Sequence, residues 1–236
     1  MLLVIIALIV SFVPSLLLFL FLLNNRKGDE EYRKNCISLL GKGFLICMII
    51  FGLDLLLKIP WNMIGIGKKN PWIDRLFTCF VINATVEEIS KFLTARKVIY
   101  KNPAKTSKLE IMTYMIIAAI AFGLFEDIVY VFSTNIGQII VRGILMGHVP
   151  YQMFMGEFYS WSIVEKKPYL KVLAFVIPIL FHGTYNFLLT EGLPDWAAAV
   201  VFVELIIEII YMVRTIILLR KKKDDPEYNR PILQGE

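Results

Sequence analysis

The segment "INATVEEISKFLTARK" (82–97) sets Glu87 and Glu88 side by side, with Lys91 one helical turn further on, in a stretch apolar enough to enter a bilayer. A charged side chain at that depth costs on the order of 3 kcal/mol even on lenient insertion scales, and such residues mark pathways and reactive sites. On a helix Glu87 and Lys91 share a face in the favourable acid-before-base order, while Glu88 lies about 100° around from Glu87. A structural ion pair, with Lys91 reaching for the interface, accounts for one glutamate. The second carboxylate needs another reason, because two adjacent carboxylates repel strongly in a low dielectric.

Other polar residues interrupt apolar runs in the same way. "FEDIVY" (125–130) carries Glu126 and Asp127 with no basic neighbour in its run, and Tyr130 lies one turn from Glu126. "RGILMGH" (142–148) brings Arg142 and His148, and "HGTYN" (182–186) sets His182 and Asn186 on one helix face. His148 and His182 are the chain's 2 histidines, and neither lies in a polar loop. A lone histidine in apolar surroundings is usually a packing residue; having both there favours chemistry.

Carboxylates, two imidazoles and an amide suit the attack of water on a carbonyl. The carboxylate would act as general base, a histidine would protonate the leaving amine, and His182 with Asn186 would stabilise the oxyanion. No serine or cysteine stands beside the histidines to serve as nucleophile. Asp54, Asp74, Arg75, Glu157, Glu204, Glu208 and Arg214 read instead as inter-helix or interfacial pairs.

The elements that must carry these residues follow from composition. Of 236 residues, 57% are hydrophobic and 19% charged, and the apolar ones fall in blocks of membrane-crossing length. The blocks are 1–23, 37–57, 72–93, 111–132, 137–160, 170–189 and 196–219. The first is expected to be a retained span, since no small-x-small cleavage site precedes "NNRKGDEEYRKN". Pro150 is expected to kink the fifth. Lys and Arg concentrate in alternate connections and after the last block, which predicts an all-α polytopic helical bundle of about seven transmembrane helices. Its N-terminus is expected outside and its C-terminus in the cytoplasm.

A membrane domain over 1–223 and a flexible cytoplasmic tail over 224–236 are expected. The formal net charge of +5 then reflects topology and contact with anionic headgroups, with no nucleic-acid partner. Cys36, Cys47 and Cys79 follow neither a disulfide nor a zinc-site spacing. At about 1.5 Å rise per residue the polar groups fall in the middle to outer half of a bilayer about 30 Å thick, so one shared site is allowed.

The motifs "EEISK", "FEDIVY", "RGILMGH" and "HGTYN", in this order over roughly residues 80–190, resemble the PrsW family of intramembrane proteases. They are similar more distantly to CAAX prenyl endopeptidases, which carry an arginine one residue beyond the position of Lys91. The resemblance implies a multi-pass endopeptidase of the prokaryotic plasma membrane that acts on a single-pass membrane protein. Its activity would be like the first (site-1) cut of a membrane-anchored anti-sigma factor. Glu87, Glu88, Glu126, His148, His182 and Asn186 would be catalytic, supported by Lys91, Tyr130 and Arg142.

With no HExxH present, a metal-free glutamate mechanism is expected; the alternative is a divalent metal held by Glu126, His148 and His182. Two other classes compete. A proton-coupled transporter also uses intramembrane Glu and His, but no inverted repeat is visible. A non-catalytic scaffold with the same fold is the third reading.

Overall fold

The longest buried apolar surface belongs to one helix, Lys108–Val131, whose side chains are covered on all sides. A helix apolar all round has to sit inside a bundle, and the other elements wrap it. The structure, a computed structural model, describes residues 2–103, 105–131, 143, 146–189 and 196–232, apart from the side chains of residues 2–4.

In chain order the elements are α1 (Leu2–Leu23), α2 (Glu30–Ile64), α3 (Ile66–Lys69), α4 (Pro71–Leu76), a π-helical segment (Phe77–Thr85), α5 (Val86–Ile99), the central α6 (Lys108–Val131), α7 (Val149–Val164), α8 (Pro168–Leu188), α9 (Trp196–Lys221) and α10 (Pro226–Asn229). Among the described residues there is no strand, only an isolated bridge between Ser107 and Pro231.

Among the described residues, 5 helices are long and apolar enough to cross a membrane: α1, α2, α6, α8 and α9. The expected third span is instead an uninterrupted helical run made of α4, the π segment and α5. Only the later part of the expected fifth span is seen, as α7; residues 137–142, Arg142 among them, lie outside the described residues. Pro150 does not kink that helix. It sits in the first turn of α7, where its missing N–H leaves no bond unmade, after a turn with Met146 (φ 53°) and Gly147 (φ 42°).

Local chemistry sets the element ends. Asp29 caps α2 by accepting a hydrogen bond from Tyr32 N at 2.9 Å, and Gly65 in the left-handed conformation (φ 76°) ends it. Asn70 caps α4 by accepting from Trp72 N and Ile73 N, followed by Pro71.

Helices in lipid gain no hydrophobic drive toward one another, so close approach at small residues and polar contacts must hold them. Gly43 of α2 lies against α6: a Cβ there would come 2.6 Å from Ala121 Cβ and 3.2 Å from the Ala118 carbonyl oxygen. Glu157 of α7 holds Arg214 of α9 through bonds of 2.5 and 2.8 Å and also accepts from the Tyr211 hydroxyl. Phe154 stacks on Tyr211 with centroids 3.8 Å apart. The outward sides of α2 and α9, including Leu55, Ile49, Phe202 and Ile210, stay exposed and apolar, as a lipid-facing surface requires.

The basic connections gather at one end of the bundle. Arg26 binds Glu110 at 3.1 Å and Asn229 at 2.5 Å, and Lys105 reaches Glu31 at 3.5 Å. Residues 224–232, read from composition as the start of a flexible tail, are held at this end. Ile232 N donates to the Thr106 carbonyl at 2.9 Å. Lys108 Nζ lies 3.6 Å from the centroid of Trp161 and 5.0 Å from that of Tyr228.

Gly43→Val should destabilise the bundle by about 1–3 kcal/mol, because α2 and α6 must part or strain. Equilibrium unfolding in mixed detergent micelles checks this; a wild-type midpoint would contradict the close approach.

Candidate active site

The two glutamates of "EEISK" enter the interior directly after the π-helical segment. That segment adds residues per turn and resets the helix phase just before Val86, a device that recurs at functional sites. Thr85 Oγ1 donates to the Phe80 carbonyl at 2.6 Å, five residues back, which satisfies an acceptor in the widened turn. Glu87 and Glu88 are both buried, and Lys91 and Glu88 have 0% exposure.

Glu88 is the most heavily bonded group. Its Oε1 accepts from Lys91 Nζ at 2.5 Å and pairs with His182 Nδ1 at 2.8 Å. Its Oε2 accepts from Gln152 Nε2 at 2.7 Å. The expected Glu87–Lys91 pair forms at 3.8 Å, but the closer partner is Glu88, three residues before Lys91. Lys91 does not reach for the interface. Its Nζ lies 2.8 Å from His148 Nδ1 and 4.5 Å from the centroid of Phe122.

These partners fix the protons on both imidazoles. His182 Nδ1 faces the Glu88 carboxylate, so that nitrogen donates and Nε2 keeps a lone pair. His148 Nε2 faces the Glu126 carboxylate in a short contact, and Nδ1 accepts from the Lys91 ammonium. His148 Nδ1, His182 Nε2 and Lys91 Nζ each lie 3.8 Å from Glu87 Oε2. That oxygen is buried with no hydrogen-bond partner among the described residues.

Three lone-pair-bearing atoms facing one another suit a cation. Glu87, His148 and His182 each offer a ligand atom, all within 4.8 Å of one another. The carboxylates behind the two imidazoles match the supporting partners that metal-bound histidines have. The donor set thus fits a divalent ion, but it is not the alternative set expected. Glu126 does not join the inner group; it holds the outer nitrogen of His148, and Glu87 takes its place. Lys91 contacts the same His148 nitrogen an ion would use, so ion binding requires that contact to be given up.

His182 is brought in by a close helix crossing. A Cβ at Gly183 would come 2.2 Å from Phe80 Cδ1, so α8 lies against the π segment only because that residue is glycine. Tyr151 stacks flat on His182, with centroids 5.1 Å apart at 8°. A small cavity, about the size of a single water, opens beside the imidazoles, lined by Gly147, His148, Tyr151, His182, Tyr185, Asn186, Leu205 and Glu208.

Of the residues singled out in the sequence, Glu87, Glu88, Lys91, Glu126, His148 and His182 meet in one cluster, and Asn186 lines the cavity beside it. Asp127 instead accepts from Ser11 of α1, and Tyr130 packs with Ala7, Leu8 and Val131. Arg142 lies outside the described residues. Gln152 and Tyr151 were missed. The one signal was position: "GHVPYQM" puts Gln152 four residues after His148, within one helical turn of it.

Membrane-length helices around a buried carboxylate–imidazole cluster define a multi-pass membrane protein. Over residues 35–218 the sequence matches the family described as PrsW family intramembrane metalloprotease, and the chain belongs to that family. It is similar to Protease PrsW of Clostridioides difficile (strain 630), 28% identical over 193 residues that cover 77% of this chain and 79% of that protein. Protease PrsW of Geobacillus kaustophilus (strain HTA426) is 22% identical over 164 residues, 68% of this chain and 71% of that protein. Protease PrsW of Oceanobacillus iheyensis is 27% identical over 150 residues, 61% of this chain and 69% of that protein. No solved structure matches the chain.

Lys91→Met would leave the Glu88 carboxylate buried without its cation, which should destabilise the protein by on the order of 3 kcal/mol. Denaturation of the purified variant in detergent measures this; stability within about 0.5 kcal/mol of wild type would contradict the role given to the pair.

Proposed function

We propose that this peptidase hydrolyses a peptide bond of a single-pass membrane protein with water as the nucleophile, at the point where Glu87, His148 and His182 face one another. The observation that carries the reading is the Glu87 Oε2 atom, buried, without a hydrogen-bond partner among the described residues and 3.8 Å from each inner imidazole nitrogen. Among the described residues lining the cavity there is no serine or cysteine to act as a covalent nucleophile.

Glu87, His148 and His182 would hold a divalent ion, which when bound supplies Lewis-acid polarisation of the scissile carbonyl and acidification of water. The chain's own residues do the rest. Glu88 and Glu126 hold the outer imidazole nitrogens and so keep the inner ones free of protons. Gln152 fixes the second oxygen of Glu88. Asn186, on the cavity wall, would donate a hydrogen bond to the peptide carbonyl as charge develops on its oxygen.

One contact favours a second, metal-free route. The Lys91 ammonium already fills the cation position at His148 Nδ1, and Glu87 would then take the proton from water directly as general base. Both routes need Glu87 and His182; they part at the ion. The motif resemblance extends the proposal to a prokaryotic plasma membrane and to the first cut of an anti-sigma-factor-like substrate. The basic end of the bundle would then face the cytoplasm.

Cleavage of a single-span substrate by the purified protein in detergent tests the reading. Glu87→Gln and His182→Ala should each lower the rate at least about 100-fold, and Glu126→Gln about 10–100-fold. Unchanged cleavage by all three would overturn the protease centre. Phenanthroline should inactivate the wild type and added zinc should restore it; full activity under chelation would leave the glutamate route in its place.

A further inference from the structure

The last long helix carries a pair of acids that the hydrolytic centre does not use. Glu204 and Glu208 lie one turn apart on α9, with exposures of 7% and 2%. Both carboxylate oxygens of Glu204, and Oε1 of Glu208, have no hydrogen-bond partner among the described residues. Of the charges read as inter-helix or interfacial pairs, Arg214, one turn and a half beyond Glu208, forms such a pair with Glu157 of α7. Among the described residues no ion pair is made by either glutamate. A buried carboxylate without a partner is strongly unfavourable, more so in lipid. Such a group persists where something else completes it.

Their positions indicate what that is. Glu208 lines the cavity that also holds His148, His182 and Asn186. Glu204 lines a second depression on the outer side of the same helix pair, between Phe181 and Thr184 of α8 and Val200 and Val203 of α9. One acid therefore faces the reaction cavity and the other faces a largely apolar groove that leads toward the lipid side. Two carboxylates one turn apart, about 5–6 Å between their Cβ atoms, match a cationic side chain with an apolar stem. The stem lies along the groove and the charge meets the acids. A metal ion is a poorer occupant, because among the described residues the one group of three ligands is the Glu87, His148 and His182 set.

We infer that Glu204 and Glu208 form an acidic subsite that takes a lysine or arginine side chain of the peptide substrate close to the bond that is cut. The inference rests on the protease reading above. Substrate binding would supply the counter-charge that the described residues do not, so substrates with a basic residue near the cleavage point are preferred over neutral ones.

The test uses the full-length protein in detergent and synthetic single-span peptides in which one lysine is moved residue by residue through the region around the cut. Each is paired with glutamine and glutamate counterparts, and cuts are mapped by mass spectrometry. Wild type should prefer one lysine position over its glutamine counterpart by about tenfold or more in kcat/KM, the scale of a buried charge pair left half empty. The isosteric double variant Glu204→Gln/Glu208→Gln should erase that ratio, and Glu204→Lys/Glu208→Lys should turn the preference toward the glutamate peptide. A ratio unchanged in the double glutamine variant, or an equal slowing of lysine and glutamine peptides, would overturn the subsite and leave the protease reading standing. If wild type cuts no peptide, the protease reading falls and the subsite with it.

Discussion

A carboxylate and an ammonium with no solvent exposure, Glu88 and Lys91, anchor the bundle interior. Removing two charges from water is tolerated only when each remaining lone pair and proton is also met. Glu88 meets that demand by drawing on α7 through Gln152 and on α8 through His182. Lys91 extends it to His148, and His148 to Glu126 on α6. One ion pair on α5 thus recruits α6, α7 and α8. In lipid, where apolar faces gain nothing by leaving the solvent, this polar network sets the register that hydrophobic burial sets in a soluble protein.

The same network gives two neighbouring glutamates opposite duties. Glu88 is saturated with donors and holds its surroundings still. Glu87, one residue earlier, keeps an oxygen without a hydrogen-bond partner among the described residues, 3.8 Å from His148 Nδ1, His182 Nε2 and Lys91 Nζ. Because Glu88 and Glu126 occupy the outer nitrogens, the inner ones cannot act as proton donors at the start of a reaction. The centre sets carboxylate oxygens and imidazole nitrogens around the Lys91 ammonium, which suits a water giving up its proton or, once Lys91 withdraws, an incoming cation.

Much of the site was legible in the sequence, for a physical reason: a charged or imidazole side chain within an apolar run is costly enough to stand out. Glu87, Glu88, Glu126, His148 and His182 are visible on that ground alone. What a helix wheel cannot decide is which of two allowed neighbours lies closer: the pair with Glu87 at four residues forms, and Glu88 at three residues holds Lys91 more tightly. Gln152 and Tyr151 carry no charge and look like ordinary residues of a membrane helix. The π segment leaves no mark in the apolar pattern, and the closeness of Gly183 to Phe80 depends on a crossing between distant segments.

A partner on another element is harder to read. Of the charges read as inter-helix or interfacial pairs, Arg214 finds Glu157 of α7, and Glu204 and Glu208 form no ion pair among the described residues. The polar residues after α9 looked unattached because their contacts, Arg26 and Thr106, come from far earlier in the chain.

Metal content measured on the purified protein probes the convergence of Glu87, His148 and His182 without reference to any substrate. Wild type loaded with zinc and then desalted should retain close to one equivalent, and Glu87→Gln and His182→Ala should each lose it. A wild type that holds no metal would overturn the metal reading and leave the glutamate route, and variants that hold as much metal as wild type would contradict the convergence itself.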